Sequence, residues 1–187
     1  MLSLDETMDA LSAKLLSLDP GPLAELRRME SGRTGTPTFW RMAAAFDFPQ
    51  DKQDIWMRIV KILAILTPRG GRSTRVRLND DTRSLGAVFC DGGDPNWPPQ
   101  GSRPAPKLSE QQFARLLATP ANQRGEALER TARMLASSRN PEKGICCTDL
   151  ARLLLYPADE QSLKRVARDY YARLDRVIRN LNKEGTH

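Results

Sequence analysis

Residues 52–67 read KQDIWMRIVKILAILT, the most apolar long stretch of the chain. Its apolar side chains recur every three or four positions, and this spacing places them on one face of an α-helix. They are Ile55, Trp56, Ile59, Ile62, Leu63 and Leu66. Pro68 follows the stretch, and a proline disfavours the helical conformation in the residue before it. The stretch therefore predicts a buried helix that ends at Thr67.

The same spacing recurs on both sides of this helix and predicts further helices. They lie after the Ser3 capping box up to residue 18, over 22–29, 37–46 and 85–90, from the Ser109 cap to Pro120, and over 123–137, 149–156 and 159–182. Thr36 and Thr148 are predicted N-caps of two of them. Strand-like alternation of useful length and internal repeats are not found, so the predicted fold class is all-α.

Residues 91–106 interrupt the helical pattern and hold five prolines and three glycines. This composition is typical of an irregular connection. We therefore predict two small helical-bundle domains, an N-terminal helical domain over 1–90 and a C-terminal helical bundle over 107–187, joined by a Pro/Gly-rich linker over 91–106. Residues 69–83, with five arginines and little apolar content, are a second predicted irregular segment.

The composition is that of a folded protein, with 40% apolar and 28% charged residues in 187. The longest apolar runs have five residues, far fewer than the roughly 20 that a membrane span needs. Acidic residues stand at the N-terminus where a signal peptide has basic ones, and the three cysteines form no disulfide framework. We therefore expect a cytoplasmic protein without membrane contact, whose cysteines are buried in the core.

Candidate catalytic residues are scarce. The single histidine is His187, the last residue, and this argues against a histidine-dependent triad or metal site. Cys146 and Cys147 are adjacent, without the spacing of a zinc pair, and the glycines form no phosphate loop. We predict that the protein is not an enzyme and uses no cofactor and no metal.

The charge is the first positive signal, with 29 basic against 23 acidic residues and a net charge of +6. Up to residue 100 the chain has 13 of each sign, so the whole surplus, 16 against 10, lies in the second part. Arginines outnumber lysines by 22 to 7, and the guanidinium fork matches phosphate oxygens. The positive charge has two possible interpretations: it binds a polyanionic partner, or it belongs to ordinary solvated helix faces.

Aromatic side chains indicate which kind of nucleic-acid contact to expect. Trp40, Trp56, Tyr170 and Tyr171 lie in apolar-periodic segments and are predicted core residues, which leaves Trp97 in the linker. With few aromatics free to stack on bases, contact with the sugar–phosphate backbone is favoured over base reading.

Six motifs in a fixed order carry a resemblance to a known family. They are GPLAELRR at 21–28, TPTFWR at 36–41, SLG at 84–86, FARLL at 113–117, DLARLL at 149–154 and KRVARDYY at 164–171. In this order the chain resembles the CasB family, the small subunit of the type I-E Cascade, an RNA-guided CRISPR surveillance complex. Ala87, where a basic residue commonly follows SLG, and the long final helix depart from the family pattern.

The resemblance implies a non-catalytic subunit that binds nucleic-acid backbone and stabilises guide RNA–target DNA pairing and the displaced strand. The implied partners are other Cascade subunits, a second copy of the chain, the guide RNA, the target DNA and the displaced strand. The implied nucleic-acid-binding residues are Arg27, Arg28, Lys52, Arg133, Lys164, Arg165 and Arg168. We expect these side chains, apart from Lys52, to lie in water and to act on DNA retention rather than on folding.

A different class of protein is the alternative. An independent helix-turn-helix DNA-binding regulator would use residues 148–171, in which YPAD at 156–159 would have to form the tight turn. Such a regulator would bind one duplex sequence specifically when isolated.

Overall fold

A computed structural model describes residues 2–30, 32–99 and 102–184 of the chain. Within these ranges it contains the helices α1 (Leu4–Ser17), α2 (Pro20–Arg28), α3 (Pro37–Ala45), α4 (Gln53–Leu66), α5 (Leu85–Asp91), α6 (Glu110–Leu117), α7 (Ala121–Ser138), α8 (Cys147–Leu155) and α9 (Glu160–Glu184). Short 3-10 turns occupy Gln50–Lys52 and Arg72–Thr74. The same ranges contain no β-strand, which confirms the all-α prediction. His187 lies outside the described residues.

Helix α4 is the central element, as its sequence predicts. Nearly all its side chains from Trp56 onward are buried, and it packs against α7, α2 and α8. It ends at Leu66, with Thr67 as its C-cap, and the Thr67 hydroxyl donates a hydrogen bond to the Leu63 carbonyl at 2.8 Å. Helices from both halves of the chain thus bury their apolar faces against one central helix.

Helix α5 lies directly against α9, and a glycine makes this approach possible. A Cβ atom on Gly86 would lie 2.1 Å from the backbone carbonyl oxygen of Val166, so any other residue here would push the helices apart. Ser84 caps α5 by accepting a hydrogen bond from the Ala87 amide at 3.4 Å. The SLG motif therefore has a structural role in joining α5 to α9.

The helix caps agree with the sequence with one exception. Ser3 and Ser109 form capping boxes, and the Thr36 hydroxyl accepts from the Phe39 amide. Thr148 is not a cap, because α8 begins one residue before it, at Cys147, and Thr148 is buried within the first turn. Tertiary burial therefore overrides the local preference of threonine for the N-cap position.

The predicted division into two domains stays a prediction. Helix α5, from the predicted N-terminal domain, packs mainly on α9, and α4 packs on α7 across the same division. The predicted linker does not leave its tryptophan free. Trp97 is 6% exposed, its indole N–H donates to the Ala105 carbonyl at 3.2 Å, and the Arg173 guanidinium lies over its ring, 5.8 Å from the centroid.

The other aromatic residues divide between core and surface. Tyr170 and Trp56 are buried as predicted, and the Tyr170 hydroxyl donates to the Leu108 carbonyl at 2.6 Å. The predicted burial of Trp40 and Tyr171 is wrong, because 40% and 37% of their surfaces are exposed. Both directly follow a fully buried aromatic residue on their helix, and successive helical residues point about 100° apart.

No helix in the described part of the chain combines the length and the apolar character that crossing a membrane requires.

Candidate nucleic-acid interface

A groove of about 530 Å³ lies where α8 is followed by α9, and four basic residues line it. Three come from the first turns of α9 and one from α8. Its lining residues are Arg152, Asp159, Gln161, Ser162, Lys164, Arg165 and Arg168. Asp159 is the one acidic residue in this lining, so basic residues outnumber acidic ones four to one among the lining residues.

The start of α9 is held in place by Asp159. Its carboxylate accepts hydrogen bonds from the amides of Gln161 and Ser162, at 3.0 and 3.3 Å, and from the Ser162 hydroxyl at 2.6 Å. These bonds, first of all that from the Ser162 hydroxyl, lower the pKa of Asp159. The Asp159 carboxylate thus caps the N-terminus of α9. Its bonds are made to Gln161 and Ser162, so the cations of the first turns of α9 can face the groove.

Arg165 is oriented by a buried carboxylate. Its guanidinium donates to one oxygen of Asp149 at 2.5 Å, and the other oxygen of Asp149 accepts from the Leu85 amide at 3.1 Å. Asp149 is thereby bonded to both α5 and α9. Arg165 is partly exposed at the groove, but its charge is largely offset by this partner. Arg165 therefore contributes to the shape of the groove and supplies little uncompensated charge.

Lys164 and Arg168 supply the accessible charge. They lie one turn apart on α9, so their side chains share one face. Lys164 pairs with Glu160 at 3.2 Å and Arg168 with Asp169 at 3.3 Å, and both side chains are more than 60% exposed. The partner of Lys164 is exposed and that of Arg168 is partly buried. Surface ion pairs contribute little to stability, so both cations can exchange their partners for phosphate oxygens at low cost.

Arg152 completes the groove from α8, and it is not among the binding residues that the sequence predicts. Its contact across the molecule is with Asp5 at 3.9 Å, and its side chain is 38% exposed. The available signal was a lone arginine within the apolar run 150–155. The apolar side chains of α8 are buried, and Arg152 lies at the edge of this buried face. Its guanidinium reaches the groove from there.

Arg27 does not lie in the groove. Its guanidinium donates to the carbonyls of Ala64 and Thr67, both at 2.8 Å, and approaches the carbonyl of Pro68 at 3.5 Å. Burial lowers the pKa of Arg27. The expectation that its head lies in water is therefore wrong, because the last turn of α4 needs donors for its free carbonyls. A nucleic-acid role for Arg27 stays a prediction.

The remaining predicted residues lie apart from the groove lining. Arg28 is exposed at the C-terminal end of α2. Arg133 lies on α7 and shares Glu129 with Lys61, each bond being 2.8 Å. The Lys52 ammonium lies over the ring of Tyr156, 5.6 Å from its centroid. Tyr156 belongs to the connection between α8 and α9. The structure thus brings together Lys164, Arg165 and Arg168, while the roles of the others stay predictions.

Chemistry beyond charge is not evident around this groove. The three cysteines are free and buried, as predicted. Burial raises the pKa of Cys90 to about 12 and of Cys146 to about 11, and raises that of Cys147 further, so these thiols are protonated at neutral pH. Across the described ranges, histidine, cysteine and acidic side chains form no cluster of three with metal-binding geometry. The arrangement is suited to holding phosphates.

Comparison with known proteins identifies relatives of this chain. The family model described as CRISPR-associated protein Cse2 matches residues 22–171. The fold is similar to that of a chain in a crystal structure of E. coli Cascade bound to a PAM-containing double-stranded DNA target. The two chains are 19% identical with a TM-score of 0.61, and the match covers 89% of this chain and 95% of that one. No curated protein sequence matches.

Proposed function

The chain belongs to the Cse2 family of CRISPR-associated proteins, the small subunits of Cascade, and we propose that it holds nucleic-acid backbone in the groove between α8 and α9. The observation that carries this proposal is the convergence of Arg152, Lys164, Arg165 and Arg168 from two helices on one groove. The CasB resemblance drawn from the sequence motifs is confirmed by the family match.

The surroundings of these cations favour backbone over base recognition. Lys164 and Arg168 are exposed, while Arg165 is held by Asp149. Such a set neutralises phosphates without a fixed donor and acceptor code, so binding is sequence-tolerant and strongly salt-dependent. Exchange of a DNA duplex for a guide–target duplex is nearly balanced in free energy, so a modest backbone contact is enough to bias it.

The partners follow from the family and from the solved relative. That relative is a chain of Cascade bound to a DNA target. We propose that this chain assembles with the other Cascade subunits and a second copy of itself, against the guide RNA, the target DNA and the displaced strand. We also propose that it acts without catalysis, because the groove offers cations and neither a thiolate nor a carboxylate cluster.

The test compares two double variants on the same helix. Lys164→Ala with Arg168→Ala removes the accessible groove charge, and Arg176→Ala with Arg179→Ala removes the same charge from exposed positions about 15–20 Å farther along α9. We expect the groove variant to weaken target-DNA binding by the assembled complex and to lower the salt slope by about two. The control variant should keep both values close to those of the parent.

Assembly and melting are measured in parallel for both variants, since exposed charges usually change stability by less than about 0.5 kcal/mol. Equal weakening by the two variants would show that only net charge matters. Nanomolar, salt-insensitive binding of one duplex sequence by the isolated chain would instead support the helix-turn-helix regulator.

A further inference from the structure

Tyr156 is the most exposed aromatic side chain of the described residues, with 49% of its surface in solvent. The other two exposed aromatics are engaged by neighbours. The Trp40 indole donates to the Thr34 carbonyl at 2.6 Å and packs on Phe39, and Tyr171 packs edge-on against Tyr170. Within the described ranges, the Tyr156 ring makes no such aromatic contact. Aromatic packing within the described part of the chain therefore does not account for this side chain.

The backbone holds Tyr156 at the edge of the groove. Its amide donates to the carbonyl of Arg152 at 3.0 Å, and its carbonyl accepts from the amide of Asp159 at 2.9 Å. Arg152 and Asp159 both line the groove. The ring is thus carried by the short connection that also positions the phosphate-binding cations, and its backbone is fixed on both sides.

A cation orders the ring without burying it. The Lys52 ammonium lies 5.6 Å from the ring centroid, a distance at which a cation is attracted to the face of an aromatic ring. About half of the surface of Tyr156 remains in solvent. A planar group that stacks on this surface would meet a ring that is already oriented, with a positive charge beside it.

We propose that Tyr156 is a stacking platform for an unpaired base of a single strand whose adjacent phosphates lie in the groove. This inference rests on the proposed function, because stacking alone would not hold a strand. Basic grooves with aromatic platforms are the usual means of binding single strands without sequence preference, since every base has a flat face. In an intact duplex the faces of the bases are covered by their neighbours, so Tyr156 favours single strands over duplex.

Tyr156 lies outside the helix that the sequence predicts for it. The apolar spacing predicts a helix over 149–156, with Tyr156 as its last residue. Helix α8 ends at Leu155, and Tyr156 is exposed. Pro157 disfavours the helical conformation in Tyr156, so the helix ends before this residue and its ring lies at the surface.

The experiment measures binding of the full chain to three ligands: a short oligothymidylate, an abasic oligomer of the same length, and a duplex. The variants are Tyr156→Leu, Tyr156→Phe and the groove variant Lys164→Ala with Arg168→Ala. We expect Tyr156→Leu to weaken oligothymidylate binding by about five- to tenfold. Tyr156→Phe should bind like the parent, and neither Tyr156 variant should change binding of the abasic oligomer.

The outcomes separate the platform from the groove. If Tyr156→Leu binds oligothymidylate like the parent while the groove variant does not, the platform is wrong and the proposed function stands. If Tyr156→Leu weakens the abasic oligomer equally, the residue supports the loop and the platform is again wrong. If the groove variant binds every ligand like the parent, the proposed function fails, whatever Tyr156 does.

Discussion

The end of α4 and the groove between α8 and α9 both attract basic side chains, but they use them in opposite ways. At the end of α4, Arg27 and Arg139 donate to backbone carbonyls of Ala64, Leu66 and Thr67. At the groove, the basic heads of Lys164 and Arg168 extend into solvent and pair with the exposed Glu160 and the partly buried Asp169. The same residue type therefore serves as an internal cap in one region and as accessible charge in the other.

The difference has a physical cause in the surroundings of α4. A helix end leaves its last carbonyls without intrahelical donors, and Pro68, which has no N–H, follows this end closely. Because the end of α4 is buried, water is a poor substitute, and arginines from α2 and from the end of α7 supply the donors. Burial lowers the pKa of Arg139 as it does that of Arg27.

An arginine surplus is therefore an unreliable measure of nucleic-acid binding in this chain. Arginines that donate to carbonyls of distant segments recur across the described ranges: Arg27, Arg75, Arg124, Arg139 and Arg173. These side chains are part of the internal hydrogen-bonding network. Fewer guanidinium groups are therefore accessible to a partner than the count of 22 arginines suggests.

The largest effect is expected from Arg139→Ala, at the buried side of the comparison. Arg139 donates to the carbonyls of Leu66, Lys143 and Asn140 at 2.6, 2.5 and 3.1 Å. Removing the donors leaves buried carbonyls unsatisfied, so we expect the free energy of unfolding to fall by about 2–4 kcal/mol. Urea unfolding measures this change. Arg139→Lys should recover only part of it, and a midpoint unchanged in Arg139→Ala would contradict the capping role.

A smaller effect is expected from two neighbours in the sequence, Arg27 and Arg28. Arg27 is partly buried against α4, whereas Arg28 is exposed. We expect Arg27→Ala to lower the free energy of unfolding by about 1–2 kcal/mol, and Arg28→Ala to change it by less than about 0.5 kcal/mol. Thermal melting of both variants tests the pair. Equal melting temperatures would remove the distinction between capping and exposed arginines.

The smallest effect is expected from Asp159→Asn, within the groove itself. Asparagine still caps α9, while the negative charge beside the groove cations is lost. We expect oligonucleotide affinity to rise about two- to fivefold at low salt, whereas Asp81→Asn, at an exposed acid that does not line this groove, should raise it less. Equal gains in the two variants would show that the local charge of the groove is unimportant.

The difference in oligonucleotide affinity between the parent and Asp159→Asn is expected to depend on pH. Because hydrogen bonds lower the pKa of Asp159 below its ordinary 3.8, the carboxylate stays ionised through the mildly acidic range. The affinity difference between parent and Asp159→Asn should therefore persist at pH 5 and disappear only as the pH falls through the lowered pKa. Loss of the difference between pH 7 and pH 5 would contradict this assignment.

Much of the fold was predictable because helices are determined by short-range patterns. The apolar spacing of residues 52–67 predicts α4 and its end, and the pairs Ser3–Glu6 and Ser109–Gln112 predict two helix starts. Lys164, Arg165 and Arg168 were identified together because they lie within two turns of one helix. Arg152 and Tyr156 were not, because they come from a different helix and from the connection that follows it.

The sequence by itself determined the helices and the excess of positive charge, since both depend on residue types and on spacing within a few positions. Only the tertiary structure decided which charges remain available. Arg27 and Arg28 are adjacent and chemically identical, but successive helical residues point about 100° apart, and α4 lies on the side that Arg27 faces. Long-range packing thus makes one arginine a cap and leaves its neighbour in solvent.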